Sequence, residues 1–180
     1  SGSLNNDLVG YWNFNESLLN SGPVGSDFEN IASNHSSAEE FGGVTPSRNC
    51  KLLGCASLDG VDDYLDIGDS VHLDVFGSNQ DFSICSWIKN TKTGASDAIF
   101  SSGLNGNSGS LFFITGGSNN LSFYSRANTV IINSGYTVPL NQWKFICFSA
   151  DRDDSAKFYV DGSEVSSTDI SSFASENWNR

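Results

Sequence analysis

The stretch from Cys55 to Gly68 constrains the fold more than any other part of this 180-residue sequence. It predicts two short strands joined by an acidic bend, because Asp59-Gly60 tolerates positive φ and the residues around Tyr64 alternate between two faces. Further alternating segments predict strands near 82–89, 97–103, 110–115, 120–126, 129–133, 143–150 and 156–161. Asp161-Gly162 is a typical hairpin turn. The sequence therefore predicts an antiparallel, all-β fold with little helix.

The N-terminal part of the chain is less regular. Residues 8–14 predict a first strand by their alternation, with Trp12 and Phe14 as core residues. Residues 15–49 lose this period and fill with Ser, Gly, Asn and Glu, which predicts a long loop. The opening Ser-Gly-Ser, residues 1–3, resembles the remnant of a cleaved expression tag, and residues 4–180 are predicted to form a single domain.

Five segments resemble one known family, in that family's order. Ser57 to Leu65 resembles the FDGxDDYV signature of laminin-G-like domains, which have the concanavalin A-like jelly-roll fold. The other four segments resemble the family's first strand and three later ones, and they are Leu8 to Asn15, Phe82 to Ile88, Gln142 to Phe148 and Lys157 to Gly162. The resemblance implies a two-sheet antiparallel β-sandwich. It also implies that the family's final strand is lacking, because the sequence ends at Arg180 where that segment should begin.

Charge and hydropathy argue against two classes of partner. Nine basic against 21 acidic residues give a net charge of −12, which repels a phosphate backbone and argues against nucleic-acid binding. The longest apolar runs are far shorter than the roughly 18 residues of a membrane-spanning segment, so no membrane insertion is expected. Three N-glycosylation sequons begin at Asn15, Asn34 and Asn120, and they favour a secretory route.

The four cysteines lie in two settings. Cys50 and Cys55 flank four residues, a spacing that suits a small disulfide-closed loop, whereas Cys85 and Cys147 each lie in a segment typical of an interior strand. Four reduced, buried thiols are the alternative on these grounds. The pentraxins, a branch of the same fold, bridge one cysteine in each of two matching strands, so this resemblance implies a Cys85–Cys147 disulfide. Disulfides imply an extracellular location, secreted or at the cell surface.

The sequence argues against catalysis. Glycosidases of this fold place paired carboxylates on one strand face in a Glu-x-Asp-x-x-Glu pattern, and no such triplet occurs. A hydrolase triad would need one of only two histidines, His35 or His72, and neither lies near a nucleophile-elbow pattern. The chain is therefore predicted not to be an enzyme.

Acidic and amide-rich loops make Ca²⁺ the cofactor to expect, since this ion takes about six to eight oxygen ligands. The candidate ligands are three carboxylates of one turn and amides of other loops, namely Asn15, Asp59, Asp62, Asp63, Asn105 and Asn107. The pentraxin resemblance implies that the loop at 105–107 binds Ca²⁺, although this loop lacks the carboxylate of the pentraxin loop. Ordinary solvated turns are the alternative interpretation of each cluster.

A ligand surface is predicted in a polar stretch of the later strands. Aromatic and amide side chains stack on and hydrogen-bond sugars, so Tyr124, Arg126, Asn128 and Tyr136 are the candidate contacts. The alternative is that both tyrosines are ordinary strand residues with solvated hydroxyls.

The sequence as a whole predicts a non-catalytic extracellular recognition or adhesion module that binds a glycan or an extracellular protein, assisted by calcium. The alternative is a structural or assembly module of a larger surface protein that associates by strand exchange. A sandwich without its last strand leaves the edge of the first strand unpaired, which invites such pairing. A homo-oligomer or a separate C-terminal fragment would then complete the sheet.

Overall fold

The computed structural model describes residues 8–14, 32, 38–68, 80–94, 96–102, 110–114, 117–125, 130–175 and 178. The chain divides into two compact units, Ser1–Leu73 and Asp74–Arg180. Nearly all regular structure in the described ranges is antiparallel β-strand. No helix among these residues is long and apolar enough to cross a membrane.

The first unit contains four three-residue strands. They are β1 Glu39–Phe41, β2 Thr45–Ser47, β3 Cys55–Ser57 and β4 Tyr64–Asp66. Strand β1 pairs with β4 and β2 pairs with β3, both antiparallel, so residues 42–44 on one side lie opposite the longer loop 58–63 on the other. The two strands predicted within Cys55–Gly68 are confirmed. The prediction of a loop over 15–49 is wrong for β1 and β2, whose short lengths leave no alternation to detect.

The predicted first strand at residues 8–14 is not formed. Its described residues contain a single β-bridge, at Trp12. Phe14 has φ 58°, in the left-handed region that interrupts an extended strand. The Trp12 ring instead lies against its own backbone, since a Cβ on Gly10 would come within 2.4 Å of it. Trp12 and Phe14 are half-buried and neither belongs to the main core.

The second unit contains two four-stranded antiparallel sheets. The first has the strand order β12-β11-β10-β5 and the second the order β6-β7-β8-β9. Their bounds are β5 Phe82–Lys89, β6 Asp97–Ser101, β7 Ser110–Ile114, β8 Asn120–Ser125, β9 Val130–Thr137, β10 Trp143–Ala150, β11 Ser155–Val160 and β12 Ser163–Asp169. A 3-10 turn, Ser171–Phe173, follows. The strands predicted from alternation are confirmed, most of them to within one or two residues at each end.

Phenylalanines fill the space between these two sheets. Phe148 of β10 and Phe123 of β8 are fully buried and stack with ring centroids 4.1 Å apart. Phe112 and Phe158 pack against Phe148 and against each other. Period-two alternation explains this arrangement, because every second residue of each strand points to the same face. The result is a β-sandwich with one aromatic core, as predicted.

Three local predictions, namely two disulfides and one hairpin turn, are confirmed. Cys85 pairs with Cys147 directly across the β5–β10 ladder and is bonded to it, with their Cα atoms 4.1 Å apart. Cys50 and Cys55 form the second disulfide. Asp161 and Gly162 have φ values of 51° and 83°, so the hairpin between β11 and β12 closes with two left-handed residues, the geometry that favours Asp-Gly.

Candidate functional site

Three carboxylates meet in the loop 58–63 of the first unit. Oxygen atoms of Asp59, Asp62 and Asp63 lie within 4.8 Å of one another. Asp63 Oδ2 accepts a hydrogen bond from the backbone N–H of Asp59 at 2.7 Å, and Asp59 Oδ1 accepts one from Val61 N–H at 2.7 Å. Backbone donors therefore hold two of the three side chains in place. These carboxylates are three of the six residues predicted from the sequence as metal ligands.

Gly42 on the opposite side of the ribbon allows this loop to close. Its φ is 81°, and a Cβ on it would lie 2.3 Å from the backbone oxygen of Asp62. Only glycine permits both the conformation and the approach. The neighbouring rings of Phe41 and Tyr64 stack at 4.8 Å across β1 and β4 and fix the base of the loop.

The acidic loop has the donor chemistry of a hard-cation site. Carboxylate oxygens are the ligands that Ca²⁺ prefers, and three of them converge here, fewer than the about six to eight that the ion requires. Backbone carbonyls and water would have to supply the rest. The other predicted ligands, Asn15, Asn105 and Asn107, lie outside the described residues.

A row of aromatic side chains lies on the outer face of the first sheet. Phe82, Ile84 and Ile88 of β5 face the core, so the intervening residues face outward. Trp87 is 36% exposed, and its ring lies 5.3 Å from that of Phe145, its partner across the ladder. Two further half-buried aromatics share this face, and we call the set Trp87, Trp143, Phe145 and Tyr159 the aromatic platform.

Polar contacts and the disulfide hold this platform rigid. Cys85–Cys147 bridges the same face, immediately beside Trp87 and Phe145. Asp161 Oδ1 accepts a hydrogen bond from Phe145 N–H at 3.1 Å, and Asp161 Oδ2 accepts one from Lys144 Nζ at 2.7 Å. This bond to Asp161, followed by the charges of Tyr136 and Asp161, raises the pKa of Lys144, while desolvation opposes the rise. The face is thus built before any ligand arrives.

The predicted ligand-surface residues are not brought together in the described part of the chain. Tyr124 in β8 is half-buried, with inward-facing Phe123 and buried Ser125 as its chain neighbours. Tyr136 in β9 packs partly against the core, beside a bulge where Ser134 Oγ donates to Leu121 O. Arg126 and Asn128 fall outside the described residues. Their role in ligand binding stays a prediction.

Sequence reasoning missed the aromatic platform although one signal for it was present. Cys85 and Cys147 were predicted to be bonded to each other, which puts both on the same sheet face. Residues two positions away on each strand, including Trp87 and Phe145, must share that face. Alternation alone does not show whether that face is exposed. The sequence therefore predicted the strands but not a binding surface on them.

A second polar cluster lies at the turn between β10 and β11. Arg152 is buried, its guanidinium lies 3.7 Å from the centre of the Trp178 ring, and its Nη2 donates to Phe173 O at 3.1 Å. A cavity of about 250 Å³ opens beside it, lined by Asp81, Arg152, Asp153 and Ala174. A hydrogen bond with Asp153, then burial and the charge of Asp81, raise the pKa of Asp151. Arg152 therefore anchors Phe173 and Trp178 to the sandwich.

The sequence profile of one family matches residues 59–180, about two thirds of the chain. That family is laminin G type 3, described as the concanavalin A-like lectin/glucanases superfamily. The match begins at the acidic loop and runs through both sheets. A search of curated proteins gives no significant match.

Solved structures with the same fold include one domain of an arabinanase and the binding domains of two toxins. Domain 4 of AbnA, an extracellular arabinanase of Geobacillus stearothermophilus solved with arabinotriose, is 18% identical with a TM-score of 0.61; the match covers 79% of this chain and 70% of that one. The binding domain of Paraclostridial Mosquitocidal Protein 1 is 15% identical with a TM-score of 0.63, covering 84% and 40%.

The binding domain of Botulinum neurotoxin DC, solved with rat synaptotagmin II, is also similar. It is 15% identical with a TM-score of 0.65, and the match covers 98% of this chain and 43% of that chain. The chain thus spans less than half the length of the two toxin domains. These likenesses show the fold alone. The profile match over residues 59–180 establishes that the chain belongs to the laminin G type 3 family of the concanavalin A-like lectin/glucanase superfamily.

Proposed function

We propose that this chain is a non-catalytic extracellular recognition module that binds a glycan on the aromatic platform. One observation carries the proposal: Trp87 and Phe145 lie side by side on the outer face of a rigid sheet, 5.3 Å apart, with Trp87 36% exposed. Large aromatic side chains usually turn inward, so a row of them on an outer face calls for an explanation.

The surroundings of the platform favour a sugar over a purely apolar partner. Ser83 Oγ donates to Ser149 Oγ at 2.9 Å on the same face, and Lys157 and Glu164 approach each other at 4.0 Å nearby. An aromatic surface bordered by hydroxyl and charged groups can stack on the apolar side of a sugar ring while hydrogen-bonding its hydroxyls. A regular sheet face also suits an extended chain of several sugars.

The solved relatives support a binding role of this general kind. The AbnA domain was solved with an oligosaccharide and the neurotoxin domain with a protein. Arabinotriose is therefore a rational first probe. A protein partner remains an outcome of the experiment below, because aromatic residues are also enriched at protein interfaces.

Calcium and an extracellular location complete the proposal. The Asp59, Asp62 and Asp63 carboxylates would supply the protein ligands of a Ca²⁺ ion, with carbonyl oxygens and water for the remainder. Both cysteine pairs form disulfides, and such bonds persist in oxidising surroundings.

A glycan array probed with the intact chain tests the function, first with Ca²⁺ and then with chelator. We expect binding to one class of glycan, and we expect Trp87→Ala to weaken that binding by about 5- to 150-fold, since a stacking contact contributes about 1–3 kcal/mol. Tyr11→Ala, which removes a 51% exposed aromatic outside the platform, is the matched control and should retain binding. An array that stays silent in both conditions, together with self-association of the chain, would favour the assembly alternative.

The calcium proposal has its own readout. Asp62→Asn combined with Asp63→Asn should abolish any rise of Tm produced by Ca²⁺, because ligand binding to the folded state stabilises it by mass action. Asp97→Asn is a control that removes one acidic charge outside the loop. A Ca²⁺-induced rise that survives in the double variant would place the ion elsewhere.

A further inference from the structure

The loop closed by the Cys50–Cys55 disulfide presents two leucines to solvent. Leu52 is 65% exposed and Leu53 is 81% exposed, and together they form what we call the leucine tip. Adjacent leucines in a folded domain ordinarily find an apolar environment. Here they extend beyond the end of the β2–β3 ribbon, with half-buried Gly54 behind them.

The small ring closed by the Cys50–Cys55 disulfide keeps the side chains of the leucine tip exposed to solvent. The disulfide joins residues only five positions apart, and their Cα atoms are 5.7 Å from each other. Ser47 pairs with Cys55 at the base of the loop, and Asn49 N–H donates to Ser47 Oγ at 3.2 Å. A ring this small has no slack with which to fold its two central side chains back onto the ribbon. The exposure is therefore a built feature of the loop.

The charged residues nearest the leucine tip along the chain are basic, although the whole protein is acidic. Arg48 and Lys51 are exposed beside the leucines, and no Asp or Glu occurs from residue 41 to residue 58, although the chain carries a net charge of −12. Two cations therefore flank the two exposed leucines.

The size and shape of the leucine tip decide between a membrane and a protein partner. A stable protein interface buries about 800 Å² on each side, far more than two side chains at a loop end provide. A narrow apolar end flanked by cations instead fits the boundary between headgroups and acyl chains of an anionic bilayer. We infer that the leucine tip inserts into anionic membranes, with Arg48 and Lys51 at the level of the headgroups.

This mode of binding differs from spanning a membrane and is independent of the aromatic platform. The tip belongs to the first unit and the platform to the second, so each can be removed without the other. A chain with both functions would hold a glycan while resting on a lipid surface.

Vesicle sedimentation with the intact, disulfide-bonded chain tests the inference. We expect binding to vesicles of phosphatidylcholine with phosphatidylserine, and Leu52→Ser combined with Leu53→Ser should lower the partition coefficient by about 100-fold. Arg48→Gln combined with Lys51→Gln should lower it by about 30-fold on anionic vesicles. Val61→Ser is the matched control, because Val61 is also 81% exposed but lies in the acidic loop.

Two results would overturn the inference. One is unchanged vesicle binding by the Leu52→Ser, Leu53→Ser variant, and the other is a Leu53-dependent dimer in sedimentation without lipid, which would assign the tip to a protein contact. The depth to which the tip enters the bilayer provides an independent check of insertion. Leu53→Trp should be quenched by brominated acyl chains more strongly than Val61→Trp, and equal quenching of the two variants would contradict insertion.

Discussion

The two disulfides of this chain hold regions of opposite construction. Cys85–Cys147 joins the neighbouring strands β5 and β10 of a sheet whose other face is packed with buried phenylalanines. Cys50–Cys55 closes a short loop whose central side chains, Leu52 and Leu53, are mostly exposed. The Cys85–Cys147 bond therefore strengthens a region whose structure is already determined by core packing. The Cys50–Cys55 bond instead determines the shape of a loop whose central side chains are not packed.

This difference explains where recognition can arise in each unit. In the sandwich, the inward faces of the strands are committed to the core, so only the outer face is available, and its disulfide stiffens the aromatic platform. In the ribbon of the first unit, tight loops present their own side chains, namely the acidic loop and the leucine tip. Substitutions should therefore have large effects on stability in the sandwich and mainly alter binding in the ribbon.

The largest contrast is expected between Phe148→Ala and Leu53→Ala. Phe148 is fully buried among four other phenylalanines, and its truncation should cost about 3–5 kcal/mol of unfolding free energy. Leu53 is 81% exposed and its truncation should change stability by less than about 0.5 kcal/mol. Chemical denaturation followed by near-UV circular dichroism measures both. Similar losses would remove the distinction between the regions.

Replacing each disulfide by two alanines sharpens the comparison. The cysteines of the Cys85–Cys147 disulfide are 62 positions apart. Its loss should therefore lower the free energy of unfolding by up to about 4 kcal/mol in the chain-entropy model. Loss of Cys50–Cys55, five positions apart, should cost about 2 kcal/mol. Thermal and denaturant unfolding of the two double variants provide the test. A larger loss for Cys50→Ala with Cys55→Ala would contradict the chain-entropy account.

Two glycines with positive φ separate conformational strain from steric conflict. Gly135→Ala, at φ 69° with open space around it, should cost about 1–2 kcal/mol for the left-handed conformation alone. Gly42→Ala should cost more, because its Cβ would also collide with the backbone of Asp62. Denaturant unfolding compares the two variants. Equal costs would mean that the acidic loop moves away without penalty.

The smallest expected effect is the pH dependence of stability that arises from two exposed aspartates of the sandwich, Asp169 and Asp151. Hydrogen bonds from the Ser171 hydroxyl and backbone lower the pKa of Asp169, so its stabilising contribution is present above the ordinary pKa and is lost as the pH falls through the lower folded value. The pKa of Asp151 is raised, chiefly by its hydrogen bond with Asp153, so its unfavourable contribution disappears as the pH falls through the folded value. Carboxyl NMR titration should show Asp151 protonating first; the reverse order would contradict the hydrogen-bond pattern.

Much of the sandwich could be predicted from sequence, because its chemistry is local. Alternating residues in β5 and β10 define both the strands and the buried face, and Asp161-Gly162 requires a left-handed turn. The Cys85–Cys147 bond followed from resemblance to the pentraxins. The acidic cluster Asp59, Asp62 and Asp63 was found because the three residues are close in sequence.

The remaining features depend on contacts that no local pattern encodes. Phe14 adopts positive φ, which cannot be predicted from an aromatic residue, and the strand predicted at 8–14 is not formed. Three-residue strands such as Thr45–Ser47, with a proline at its centre, have no detectable period. Which face of a sheet stays exposed depends on what covers it. For that reason Trp87 was predicted only as part of a strand, and not as part of a binding surface.

The measurement that tests the central claim most directly is an NMR titration of the tryptophan indole N–H signals with arabinotriose, and then with the strongest glycan of the array. The indole signals of Trp87 and Trp143 on the platform should shift or broaden in a saturable way. The signal of Trp178, fully buried against Arg152, should stay in place. Saturable binding that leaves Trp87 unmoved would show that the glycan site lies elsewhere and would contradict the account.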